Sequence, residues 1–284
     1  MARFSTGARQ VPLKGRSAWL LTAVTAAAIL TSVTPAKAQD PWGLGDITVF
    51  GWAVHNLRVG VALSPDYMGS DDYDLKLSGG LSAALHGKEP PFGAPDDGVS
   101  LGLFGGEDWS LGVAGRFRSS RDDDNDLQGF EKIDWTVEAG AFANYWPNDQ
   151  LRLRGEIRHG FGGHSAWVAN LGADAIWRER ALVLSVGPRL SWGESKFART
   201  YFSVDPDEAA RSPFDIAPFT PDDAVWAAGV LASLEYRVSR HWGVTATAGY
   251  KRMLGDATDS PIVADLGSAD QFSTSLGVRY ILGK

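Results

Sequence analysis

Five histidines, His55, His86, His159, His164 and His241, are by type the side chains best suited to ligate a metal or move a proton. None shares a strand face with another histidine or a carboxylate at a ligand spacing, so no metal centre is expected. The nearest approach to a nucleophile and base is the glycine-rich stretch from His159 to Ser165, which holds two histidines and a serine. A lipid hydrolase at a membrane boundary needs its serine paired with a histidine and a third group to orient the base. Chance proximity in a loop is the better reading of this stretch. Acidic runs at Asp71, Asp72 and Asp74, and at Asp122, Asp123, Asp124 and Asp126, could offer oxygens to calcium. Neither has the spacing and glycine of a calcium loop, and both read as solvated loops. No cofactor and no enzymatic activity are expected.

A second set of charges has a period of two. Between 151 and 160, Arg152, Arg154, Glu156 and Arg158 alternate with Leu151, Leu153 and Ile157. Four charges on one strand face cannot look into a packed apolar core. They suit the polar lumen of a barrel whose outside is lipid. Segment 225 to 238 repeats the arrangement, with Glu235 and Arg237 inward, and 271 to 282 does so with Arg279; Arg189 belongs to the same set. Rings of charge can set the selectivity of a pore. In a small barrel they instead fill the lumen by pairing with one another, and this plugged reading is favoured over an open channel.

The elements that position these residues are strands. From residue 56 onward, segments of about ten alternating residues are separated by turns rich in Asp, Gly, Pro and Asn. The clearest are 57 to 64, 75 to 86, 109 to 118, 133 to 146, 151 to 160, 167 to 177, 181 to 192, 225 to 238, 242 to 253 and 271 to 282, with weaker ones at 47 to 53 and 99 to 104. Aromatics mark both ends of the outward faces: Trp135 and Tyr145, Trp167 and Trp177, Trp226 and Tyr236, Trp242 and Tyr250, Phe272 and Tyr280. Most pairs are ten residues apart. At ~3.3 Å per residue and a tilt of about 40 to 45°, that is a rise of roughly 24 Å, against an apolar band of about 25 Å. The fold expected is therefore all-β, an antiparallel transmembrane β-barrel of about twelve strands, with ten as the alternative. Short turns at 147 to 150, 178 to 180 and 239 to 241 fit the periplasmic side, and loops at 119 to 132, 193 to 224 and 254 to 270 the outside. Residues 87 to 98 read as a turn or a loop.

Residues 1–38 carry five basic residues and no acid, an apolar run from Ala18 to Val33, and Ala36-Lys37-Ala38. This is the pattern of a cleaved signal peptide, so the barrel is expected to occupy 39–284. Of the 27 Lys and Arg residues, 22 remain after that cut against 34 acids, a net charge of about −12. An acidic exported chain is not a nucleic-acid binder. With no cysteine, it uses neither disulfides nor thiolate metal sites.

Three loops are too distinctive for plain connectors. The first holds Pro65, Asp66, Tyr67, Gly69 and Ser70; the second holds Tyr201 and Phe202; the third holds Gly255, Asp256, Asp259, Ser260 and Pro261. Together with Leu127-Gln128-Gly129-Phe130, in this order along the chain, they resemble the MltA-interacting protein (MipA) and OmpV family of outer-membrane proteins. Ser203 departs from the family's common glycine. The last strand ends in Leu282-Gly283-Lys284 without the usual terminal aromatic, which implies less efficient assembly. The resemblance implies a cell outer-membrane location among lipid and lipopolysaccharide. It also implies a non-enzymatic scaffold joining a murein-degrading lytic transglycosylase to a penicillin-binding synthase. The residues themselves leave open a small pore, or an osmotic-response or adhesion protein. A scaffold would have to bind through the mature N-terminus, Gln39 to about Asp46, or through the strand rims.

Overall fold

The computed structural model describes residues 48–49, 52–85 and 92–282. The expected signal peptide and the segment 39–47 lie outside these residues. One sheet contains β1 (Thr48–Val49), β2 (Trp52–Pro65), β3 (Tyr73–Leu85), β4 (Val99–Gly105), β5 (Trp109–Arg118), β6 (Thr136–Asn148), β7 (Leu151–Gly162), β8 (Trp167–Glu179), β9 (Leu182–Gly193), β10 (Val225–Arg237), β11 (Trp242–Leu254) and β12 (Asp270–Ile281). From β4 to β12 each strand pairs antiparallel with the next. β12 pairs with β2 and β2 with β3, which closes the barrel once β3 joins β4.

The closed ring has eleven strands, where the sequence predicts an even number. β1 makes only two register pairs with β2 and stays outside the ring, so the weak segment 47 to 53 is not a wall strand of its own. An odd ring needs one parallel contact, because alternating directions cannot otherwise meet. That contact is β3 with β4, over Leu81–Ala84 and Val99–Gly102. Four register pairs make it the shortest ladder of the ring; β10 and β11 share twelve. Exchange of backbone amides is accordingly expected to be fastest, among wall strands, at Val99–Gly102 and slowest near Leu231–Glu235. Mass-spectrometric hydrogen exchange on the barrel in lipid checks this; equal protection at both places would contradict it.

The two faces are inverted relative to a soluble protein. Leu77 is 89% exposed and Leu75 76%, whereas Arg152 and Arg158 are each 1% exposed. Soluble proteins almost never bury such charges while showing rows of leucine to water, so the outer face meets lipid. Outward side chains stack along the wall, as Tyr250 does on Phe272 with ring centroids 5.1 Å apart across the β11–β12 ladder. Trp135, Trp167, Trp226 and Phe272 lie at one rim, Trp109, Tyr145, Trp177 and Tyr236 at the other. The second rim has short turns, at 148–151, 179–182 and 237–242. The first carries the long connections at 66–72, 119–135, 194–224 and 255–269, with a shorter one at 163–166, whereas the β3–β4 connection leaves β3 at the second rim. Short turns face the periplasm in outer-membrane barrels, which places the long connections outside.

Candidate functional site

The register sets the even-numbered residues of β7 inward, and Arg152, Arg154, Glu156 and Arg158 all face the lumen, almost wholly buried. What they meet there includes a piece of chain that is neither wall nor turn. Between β3 and β4, residues Phe92–Gly98 fold inside the barrel, with Pro95–Asp97 as one 3₁₀ turn. Proline suits the start of that turn, since its missing N–H has no partner to find. The Asp97 carboxylate accepts from the Ala94 N–H at 2.8 Å. Gly98 exits at φ 64°, and a Cβ there would come within 2.8 Å of the Gly115 carbonyl oxygen, so only glycine fits.

Arginines from four strands hold this plug. Arg152 grips Asp97 through both terminal nitrogens, at 2.5 and 3.0 Å, and donates to Asp174 at 2.7 Å. Arg154 lies 3.5 Å from Asp97. Arg189 donates to Asp96 at 2.8 Å and to Asp174 at 2.7 Å. Arg58 and Arg116 reach the carbonyl oxygens of Ala94 and Asp96, at 3.2 and 2.7 Å. The Arg152 guanidinium also stands 5.2 Å from the Phe92 ring centre. Forked guanidinium–carboxylate pairs of this kind are strong and directional. A turn or loop was predicted for 87 to 98; its described part instead fills the lumen, where it adds acids to a wall whose inward arginines outnumber its own carboxylates.

A second network lies nearer the outer rim. Glu138, with no exposed surface, accepts from Arg118 at 2.8 and 3.0 Å and from Arg158 at 3.0 Å, and pairs with the His164 ring at 3.1 Å. Arg158 also pairs with Glu156, which receives Arg154 at 2.7 Å. His164 is thus engaged with Glu138 and stacked edge-on against Phe197 and Tyr201. Ser165 is exposed while His164 is buried against Glu138, and among the described residues no hydrogen bond joins the two, so the stretch 159 to 165 assembles no serine–histidine pair. Glu235 pairs with Arg279 in a separate layer. Arg237, predicted inward, is the last residue of β10 and lies exposed at the short-turn rim. There it meets water, so no lumenal partner is required of it. Among the described residues no three metal-ligating side chains come together.

The distinctive loops converge over the outer mouth. They contribute α1 (Ser195–Phe202), α2 (Pro206–Arg211), α3 (Asp256–Asp259) and α4 (Pro261–Ala264). One apolar cluster joins Phe197, Tyr201 and Phe202 of α1 to Ile133, Ala257 and Val263, and to the inward-facing Val168, Val225 and Met253 at strand ends. A second joins Leu127, Phe130, Val204 and Ile262 to Tyr67 and Leu266. Polar groups tie the pieces together. Ser260 donates to the Phe202 carbonyl at 2.7 Å, Tyr67 to that of Leu266 at 3.2 Å, and Arg121 to that of Tyr201 at 2.8 Å. Gln271 accepts from the Gly69 N–H at 3.1 Å and donates to the Ser70 carbonyl at 3.0 Å. Asp256 accepts from the N–H groups of Asp222 and Asp223. Glu208 bridges α2 to residue Glu131 by accepting its N–H at 2.8 Å. Burial holds the Tyr67 hydroxyl above its usual range, so it donates as a neutral phenol. Gly69 sits at φ 103°, with the Val263 side chain 2.7 Å from where a Cβ would be.

Most motif residues are therefore joints of a folded cap. Pro65 ends β2 beneath it, and Asp259 is exposed at its edge. Sequence reasoning missed the plug, Glu138 and Asp174. A signal for them existed, since six inward arginines against two acids in the predicted lumen demand carboxylates from elsewhere. Between cap and plug remains a cavity of about 440 Å³, lined by residues that include Arg116, Arg118, Arg121, Arg189, Lys251 and Tyr201.

A family model described as MltA-interacting protein MipA matches residues 57–282. The chain is 25% identical over 167 residues to "Putative outer membrane protein YiaT" of Escherichia coli strain K12, covering 58% of this chain and 65% of that protein. It is 26% identical over 171 residues to "MltA-interacting protein" of the same strain, covering 58% and 64%. The chain thus spans just under two-thirds of the length of these curated relatives. Among solved structures it is similar to the NanC porin, with a TM-score of 0.42 and 9% identity over 80% of this chain and 100% of that one. For the outer membrane protein OprG from Pseudomonas aeruginosa the TM-score is 0.25, at 9% identity over 81% and 97%.

Proposed function

Because the chain belongs to the MltA-interacting protein MipA family, we propose that this outer-membrane barrel is a non-enzymatic docking protein for murein enzymes, a lytic transglycosylase and a penicillin-binding synthase. The observation that carries the reading is the occupied interior. With α1 packed into the outer mouth and Asp96 and Asp97 clamped across the lumen, the barrel is built to be filled, and its work falls to its surfaces. A murein enzyme is met on the periplasmic side, where the short-turn rim is the available face. Arg178, Arg180 and Arg240 give that rim exposed cationic side chains, and such charges steer encounters and set partner choice.

The test is cross-linking in intact cells through a photoreactive residue placed at Arg180 or Arg240, with the partners identified by mass spectrometry. Parallel recordings of the purified barrel in planar bilayers complete it. A murein hydrolase or synthase captured at the rim, together with bilayers that stay silent, is the expected result. Stable ion-selective steps with no such partner captured would overturn the docking role in favour of a pore.

A further inference from the structure

Lys251 lies on the inward face of β11, opposite Gly229 on one side and Gln271 on the other, and lines the cavity beneath the cap. Among the described residues no hydrogen bond or ion pair reaches its ammonium, and the cations Arg116 and Arg118 line the same cavity. Of the carboxylates that line the cavity, Glu156 is engaged by Arg154, Arg158 and Arg116, Asp97 by Arg152 and Asp96 by Arg189, which leaves Asp66, with Lys76 on the same lining. Glu138 beside them is engaged by Arg118, Arg158 and His164. Arg116 donates to the Asp96 carbonyl oxygen, and its only ion pair is a 3.6 Å contact with Glu156, so its side chain stays 31% exposed. A half-buried ammonium that shares a cavity with two guanidinium groups is less favourable until a negative charge joins them. The roof carries another cation, Arg121, bound to a carbonyl rather than to an acid.

We propose that the cavity is a binding site for a small anion, a phosphate or a carboxylate, held among Lys251, Arg116 and Arg118. Guanidinium groups present paired donors to either group, and lysine adds a point charge. A cavity of about 440 Å³ falls within the ordinary size range of small-molecule sites, so a sugar acid or sugar phosphate fits as well as the bare ion. The proposal is independent of the docking role, which concerns the opposite rim.

The test uses the whole barrel in zwitterionic nanodiscs. Inorganic phosphate and glucuronate are titrated by calorimetry at fixed ionic strength, with chloride as the control. Saturable binding of at least one of them, one per barrel, is expected, weakened tenfold or more in Lys251→Met and in Lys251→Gln. Both variants should fold, since each removes a repelled charge. In the absence of anion Lys251→Met should resist urea better than the parent, and saturating anion should narrow that gap. Repeating the titration with phosphatidylglycerol in the disc separates the sources. Competition by the lipid assigns the site to a headgroup, and its absence assigns it to a soluble anion. No binding beyond the chloride control, or equal binding by both Lys251 variants, overturns the proposal.

Discussion

Arg152→Ala is expected to free the plug while leaving the strands in place. The chain has no cysteine, so Ala94→Cys, at a position with no exposed surface, reports plug release by its rate of thiol labelling. In the parent barrel this thiol should be nearly inert. Removing Arg152 leaves two buried carboxylates, Asp97 and Asp174, 10% and 1% exposed, without their main partner. Breaking a buried pair from one side costs about 3 to 5 kcal/mol. Labelling should therefore accelerate by about 150- to 5000-fold, if opening is a pre-equilibrium. Arg152→Lys should fall between, keeping the charge but losing the fork that grips Asp97. Combining Arg152→Met with Asp97→Asn and Asp174→Asn should recover much of the loss, because neither acid is then charged while Arg154 and Arg189 keep Glu156 and Asp96. Unchanged labelling in Arg152→Ala would mean that the plug is held by backbone packing and not by its ion pairs.

The second large effect belongs to the cap. Phe202 is 1% exposed, and its carbonyl also receives the Ser260 hydroxyl. Phe202→Ala should destabilise the cap by about 3 to 5 kcal/mol, the usual range for emptying a buried phenyl site. The readout is protease cleavage within 194–224 on intact cells, with circular dichroism showing that the strands persist. Phe214→Ala, 38% exposed in the same connection, should change stability by no more than roughly 0.5 kcal/mol. Equal cleavage of the two variants would show that the loops do not form one packed unit.

How much of this was legible from residues follows a physical line. Where structure repeats locally, the sequence reading is close: the segment predicted at 225 to 238 is β10, Val225–Arg237, and that at 109 to 118 is β5 to the residue. Alternation records which face meets lipid, and the aromatics record where lipid ends. The plug escaped because Asp97 meets Arg152 across 55 positions, and such pairing leaves no period. The cap was half visible. Tyr67, Gly69, Tyr201 and Ser260 stood out by type and order, but their convergence depends on three loops meeting over one mouth. The misread segment 47 to 53 shows the complementary limit: alternation marks extended chain without saying how far it pairs, and Thr48–Val49 pairs with only two residues.

The parallel contact between β3 and β4 has a mechanical meaning. A barrel under lateral tension is a hoop, and a hoop parts at its weakest link. Here that link is four residue pairs long, against eight to twelve elsewhere around most of the ring. The chain joining its two sides is the one that carries Asp96 and Asp97; arginines of β7 and β9 clamp those acids, and arginines of β2 and β5 hold the carbonyls of Ala94 and Asp96. The plug therefore acts as a tie-rod across the hoop: load that would spread the seam is passed to the far wall through guanidinium pairs.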